Sequence, residues 1–190
     1  MLGAGVMIFF EWQAIFGVFI LFVIISTTWM GLRITEPVTA EKRVAFRYES
    51  FKSAVIEIMS LPIVRTAIVT LVFSYSILFT ALLLVQPVFD QYFDRAVSFP
   101  FWFALISIFA ASASFVNAML VMKLGMRRLV SAAFQVQVVW SISMLLLLNA
   151  GPVFGSLGFA LFVFWVFGVF FHAGMTMGNL TALAMEPLGH

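Results

Sequence analysis

One histidine stands alone in the longest uncharged run of this chain. Between Arg128 and Glu186 no side chain carries a fixed charge, and His172 is the one ionisable group in that interval. An imidazole so placed can carry a proton or bond a substrate, and Thr176 lies one helical turn on. The plainer reading is a neutral ring bonded to a neighbouring helix. Other polar side chains are sparse but patterned. Tyr75, Phe79, Leu82 and Gln86 form one stripe of an apolar run, and Thr66, Thr70 and Ser74 recur at every fourth position beside it. A stripe of the first kind suits the wall of a water-filled cavity. Hydroxyls of the second kind bond the carbonyl of the preceding turn and serve helix packing. We assign Tyr75, Phe79, Gln86, His172, Met175 and Asn179 to the lining of a substrate cavity, and the threonine set to packing. Asn117, Gln135, Gln137 and Asn179 are amides that need partners wherever they are buried, across a polar pathway or between helices.

Enzyme chemistry finds little to work with. The chain has 2 histidines and no cysteine, too few ligands for an ordinary zinc site and none for a disulfide or an iron–sulfur cluster. No glycine-rich phosphate loop, no paired carboxylates within an apolar run and no HExxH are present. No metal, cofactor or nucleic acid is expected, and catalysis is not.

The elements that must hold these side chains are set by lipid. Hydrophobic residues make up 64% of the 190 and charged ones 9%, far below the roughly 25% of a soluble chain. The mean hydropathy is +1.14. Inside a bilayer every backbone polar group must be satisfied within helices or a closed barrel, and barrel strands would alternate in short segments. Here the apolar runs are continuous, so the fold class is an all-α polytopic bundle. Charges delimit Trp12 to Leu32, Thr66 to Phe89, Ala96 to Met122 and the run after Arg128. Asn149-Ala150-Gly151-Pro152 is a turn signal that divides the last of these into two helices. The expected spans are 13–32, 63–86, 100–122, 129–148 and 157–183. Residues 1–10 read as the tail of a helix, no signal peptide is expected, and the chain reads as part of a longer protein.

Orientation follows from Lys and Arg. Of the 10 basic residues only Arg95 falls on the side opposite the others, so 33–62 and 123–128 are expected to be cytoplasmic, with Asp90 to Arg95 outside. The 33–62 segment is too charged to insert. Its second half places Phe51, Ala54, Val55 and Ile58 on one face of an amphipathic helix at the membrane surface, ahead of Pro62. Two small-residue stripes, Ala110-Ser114-Ala118 and Gly174 with Gly178, mark close helix approach.

The stretch Asn117-Ala118-Met119-Leu120-Val121-Met122-Lys123-Leu124-Gly125-Met126-Arg127-Arg128-Leu129 resembles the connection between helices eight and nine of the Bcr/CflA drug-resistance transporters of the major facilitator superfamily. Glu11-Trp12-Gln13-Ala14-Ile15-Phe16 is similar to the opening of their helix six, with Gln13 where an Arg is usual. Residues 33–60 resemble their central cytoplasmic loop, and Gly178 through Pro187 the end of helix ten. On that register 1–32 closes the N-terminal half, 33–62 joins the halves and 63–190 holds the first four helices of the C-terminal half.

The resemblance implies two six-helix halves that rock about a midplane cavity. It implies proton-coupled efflux of small amphipathic compounds across the inner membrane, with the bilayer, the substrate, protons and the remaining helices as partners. No acidic residue is expected at membrane depth here, so coupling is assigned to no residue of this chain. Two rivals remain open: a major facilitator carrier of a sugar or metabolite, and a non-transporting membrane scaffold. The apolar, Met- and Phe-rich walls favour lipophilic substrates over sugars.

Overall fold

The computed structural model describes residues 10–34, 47–149 and 156–188, and they form helices, with no strand among them. Five of these helical stretches are long and apolar enough to cross a membrane: Ala14–Arg33, Pro62–Tyr92, Ala96–Leu124, Met126–Leu147 and Leu157–Met185. They fall on the runs that charge delimits in the sequence. The tail read over 1–9, the front of the 33–62 segment and the turn at 150–155 lie outside the described residues.

By its contacts the chain divides into two units, Met1–Ala54 and Val55–His190. The first holds α1 (Ala14–Arg33), which is apolar all round and buries none of its residues. Trp12 stacks edge-on against Phe16 at its start, and the Arg33 guanidinium lies 5.1 Å over the Trp29 ring at its end. The two indoles are thus about 25 Å apart along the axis, which suits the two interfaces of a bilayer. The helix α2 (Tyr48–Ser60) begins in this unit and ends in the next, over the residues where the amphipathic helix is expected. Pro62 then takes the first turn of α3 (Pro62–Pro87), where its missing N–H costs nothing.

In the second unit α3 does not stop at Gln86. It runs through Pro87 into a π-helical turn, Val88–Tyr92. Proline removes one donor from the ladder, and the wider turn re-forms it: Phe93 N–H reaches Val88 O at 3.2 Å. Asp94, at φ +52, closes the end. The extension turns Phe89 fully inward. Its ring centroid lies 5.4 Å from Phe99 and 5.1 Å from Phe159, and Trp102 packs 5.1 Å from Phe159 in turn.

The third span is two helices, α4 (Phe99–Ala110) and α5 (Ala113–Leu124). Between them the chain overwinds: Ser112 N–H bonds Phe109 O, Ser114 N–H bonds Ala111 O and Phe115 N–H bonds Ser112 O, all three residues back. Tighter winding brings the inward position one residue earlier in the chain. Ala113 is therefore buried, while Ser114 and Ala118 are exposed, which corrects the small-residue stripe expected at Ala110-Ser114-Ala118.

Gly125 makes the turn into α6 (Met126–Asn149) with φ +75 and ψ 157, a conformation nearly confined to glycine. Nothing lies within 4 Å of where a Cβ would stand, so the strain there is purely conformational. Gly125→Ala is expected to destabilise the unit by about 1–3 kcal/mol. SDS titration of the purified protein, followed by circular dichroism, measures it.

The last long helix, α7 (Ser156–Met185), is the hub: α3, α4, α5 and α6 all pack on it. What α3 offers to it is Ala67, Ser74 and Ala81, small residues a heptad apart and all buried. That spacing keeps one narrow seam facing a partner helix. It divides the threonine set. Thr66 is exposed and Thr70 half-buried, and both return their hydroxyls to the preceding turn as expected, to Pro62 O and Thr66 O, each at 2.8 Å; of the three only Ser74 is fully buried.

Candidate functional site

The buried polar side chains of the described residues are Ser74, Gln137, His172, Thr176 and Asn179, three of them on α7. Each needs a partner in an apolar surrounding, and the helices supply most of them. Thr176 Oγ1 donates to His172 O at 2.9 Å and sits 3.3 Å from Ser74 Oγ, a polar tie between α3 and α7. Asn179 Nδ2 donates to Asn117 Oδ1 and, at 2.8 Å, to Met175 O, which ties α5 to α7. His172 stands edge-on to Phe134 at 4.7 Å, with Nδ1 3.3 Å from Ala133 O of α6.

The six residues read from the sequence as cavity lining separate into two places. His172, Met175 and Asn179 are buried among the helices that pack on α7. Met175 lies in an apolar cluster with Ala113 and Leu129. Tyr75, Phe79 and Gln86 lie on the exposed side of α3, where the Tyr75 and Phe79 rings stack 6.1 Å apart at 23°. The amides divide as well: Gln137 is buried and Asn117 half-buried, whereas Gln135 is exposed and bonds Ser131 within its own helix.

A cleft between α3, α6 and α7 collects polar groups that the six do not include. Its volume is about 570 Å³, and Ser76, Thr80, Gln137, Ser141 and Trp165 supply its polar groups. Gln137 Nε2 donates to Ser141 Oγ at 3.1 Å, and Trp165 Nε1 donates to the same oxygen at 3.3 Å. With both acceptor directions of that hydroxyl engaged, its proton is left to donate to a third group. Ser76 spends its own hydroxyl on Val72 O at 2.8 Å. The remaining walls are apolar, among them Phe134, Val138 and Phe162. A space of this size, mostly apolar with a few converging polar atoms, is what a small amphipathic molecule needs. The signals in sequence were two i, i+4 pairs, Ser76 with Thr80 and Gln137 with Ser141. Each is weak alone, and only the packing of both α3 and α6 on α7 brings them to one cleft.

Among the described residues no group of three or more His, Cys, Asp or Glu side chains is placed to hold a metal ion. No family model, no curated protein and no solved structure matches this chain.

Proposed function

We propose that this chain forms part of a major facilitator transporter of the Bcr/CflA drug-resistance kind. It moves small amphipathic compounds out across the inner membrane by alternating access, with protons as the coupling ion. The cleft between α3, α6 and α7 carries this reading: about 570 Å³ at membrane depth, with apolar walls and Thr80, Gln137 and Ser141 at hand for a polar head. An apolar body binds such walls without directional demands, while one or two hydrogen bonds orient its polar end. The exposed stripe of Tyr75, Phe79 and Gln86 adds a second aromatic and polar face to the same helix. In this fold such a stripe faces the opposite half across the midplane cavity.

The test is ethidium efflux from cells that express the transporter containing these spans. Gln137→Leu removes the donor that orients Ser141, and Thr80→Val removes a hydroxyl at constant shape. Each is expected to slow efflux severalfold at unchanged expression, the loss of one hydrogen bond to substrate being worth about 0.5–1.5 kcal/mol. Efflux that is absent in the parent, or indifferent to both substitutions, would overturn the proposal.

A further inference from the structure

A groove of about 550 Å³ runs between α4 and α7 and shares no residue with the cleft described above. Trp102, Leu105 and Phe109 line it from α4, and Phe159, Val163 and Phe167 from α7. Arg95 is the one charged group among the described residues in its walls. It falls between the spans Pro62–Tyr92 and Ala96–Leu124, which puts it at a membrane surface. The groove thus opens at the interface and runs inward. From Phe159 to Phe167 it follows α7 for about 12 Å, most of the roughly 15 Å of hydrocarbon in one leaflet.

The cation at its mouth is unspent. The Arg95 guanidinium lies 4.4 Å over the Phe159 ring, a cation–π contact that uses none of its N–H donors. Among the described residues no carboxylate pairs with it, the nearby Asp90 and Asp94 included, and no acceptor takes its N–H groups. Arg95 is exposed, so those donors are open to a ligand. The guanidinium fork matches a carboxylate in shape as well as in charge, through two parallel N–H···O bonds. Asp90 and Asp94 are exposed too, and water screens their repulsion of such an anion.

We propose that this groove binds a long-chain fatty acid from the leaflet on the Arg95 side. Its carboxylate sits on the Arg95 fork, and its chain lies inward along Trp102, Val163 and Phe167. The volume holds roughly eighteen non-hydrogen atoms, at the approximately 30 Å³ that each water takes in the liquid. That is one acyl chain with its head, and well short of the two chains of a phospholipid. A neutral lipophile would leave the guanidinium unmet. The inference stands on this groove and not on transport, so a failed efflux experiment leaves it in place.

The test uses the 190-residue chain in phosphatidylcholine nanodiscs at about pH 9, where a carboxyl is ionised. Two probes are compared, palmitic acid with a mid-chain diazirine and its methyl ester. Photolabelling by the acid is expected to saturate, to be competed by unlabelled palmitate and to map to 102–109 and 159–167. Helix α1, apolar all round with no buried residue, gives the level that plain lipid exposure produces. The ester keeps the chain but loses the charge, and should label the groove about tenfold less, as should the acid on Arg95→Gln. Ala160→Phe, which fills the groove and leaves the guanidinium in place, should also lower labelling by the acid. The comparison of acid with ester on the unaltered protein holds whether or not the variants fold. Equal labelling of the groove by the two probes, acid labelling there no higher than on α1, or a groove kept unlabelled by a phospholipid or another helix would each overturn the proposal.

Discussion

Gly174→Leu is expected to part α5 from α7, whereas Gly178→Leu, four residues on, leaves the bundle intact. The motif treats the two glycines alike, but the packing does not. A Cβ at 174 would stand 2.8 Å from Ala113 Cβ, closer than such atoms approach, while nothing lies within 4 Å of one at 178. The neighbour at 174 is bound directly to the backbone of α5, so no flexible side chain can swing aside. The helices themselves must separate. Separation also pulls Asn179 from Asn117, which is the amide bond between the same two helices. Overpacking costs about 1–3 kcal/mol where side chains can adjust, and the rigid neighbour here places the expected loss at about 3 kcal/mol or above. Gly178→Leu gains the better helix former, worth up to about 1 kcal/mol. SDS titration of both variants, read by circular dichroism and by tryptophan fluorescence, gives the two values. Equal losses at the two positions would mean that α5 and α7 meet along the whole motif rather than at Gly174 alone.

That asymmetry shows where sequence is legible in a membrane chain and where it is not. Span positions can be read because charge is excluded from hydrocarbon: the runs bounded by Glu11, Arg33, Arg65, Asp90, Arg95 and Lys123 give the crossings, and the helices follow them. Which face packs is another matter. In a soluble helix the buried face is the apolar one, but in lipid both faces are apolar and hydropathy loses its phase. The seam of α3 is marked only by the size of Ala67, Ser74 and Ala81, while the more conspicuous Thr66 and Thr70 spend their hydroxyls on their own helix. In the third span the small residues themselves mislead, because the overwound turn at Ser112 changes their phase and nothing in the composition announces that turn.

The same limit shaped the reading of the site. His172 and Asn179 stand out because they are polar, and both are buried. Trp140 and Trp165 are inconspicuous in an aromatic-rich chain, yet the Trp165 indole N–H reaches Ser141 across the helices and the Trp140 indole packs against Gly168 of α7. One N–H is engaged by Ser141, and the other meets no acceptor among the described residues. That difference arises from the packing of α6 on α7, contacts between residues distant in sequence.

A single thiol at Ser53 is expected to be hidden from the outside of intact cells, and one at Gln91 open to it. The chain has no cysteine of its own, so each variant carries one reactive site and needs no altered background. Both positions are exposed, Ser53 on α2 and Gln91 in the π turn after α3, so accessibility to reagent is set by the membrane and not by packing. The orientation rests on the distribution of Lys and Arg. If the spans alternate in direction, Arg33, Lys42, Arg43, Arg47, Lys52, Arg65, Lys123, Arg127 and Arg128 share one side, against Arg95 on the other. Basic residues beside a span are retained on the cytoplasmic face, where each gains about 1 kcal/mol from anionic lipid. Arg95 is moreover held by the fold, with its guanidinium 4.4 Å over the Phe159 ring, a cation–π contact that suits the opposite interface. With an impermeant maleimide, Gln91→Cys should label in intact cells and Ser53→Cys only after permeabilisation, a difference of about tenfold or more given so one-sided a charge bias. Labelling of Ser53→Cys from outside would invert the orientation. It would place the 33–62 segment away from the cytoplasm, against the proposed reading of that segment as a cytoplasmic loop.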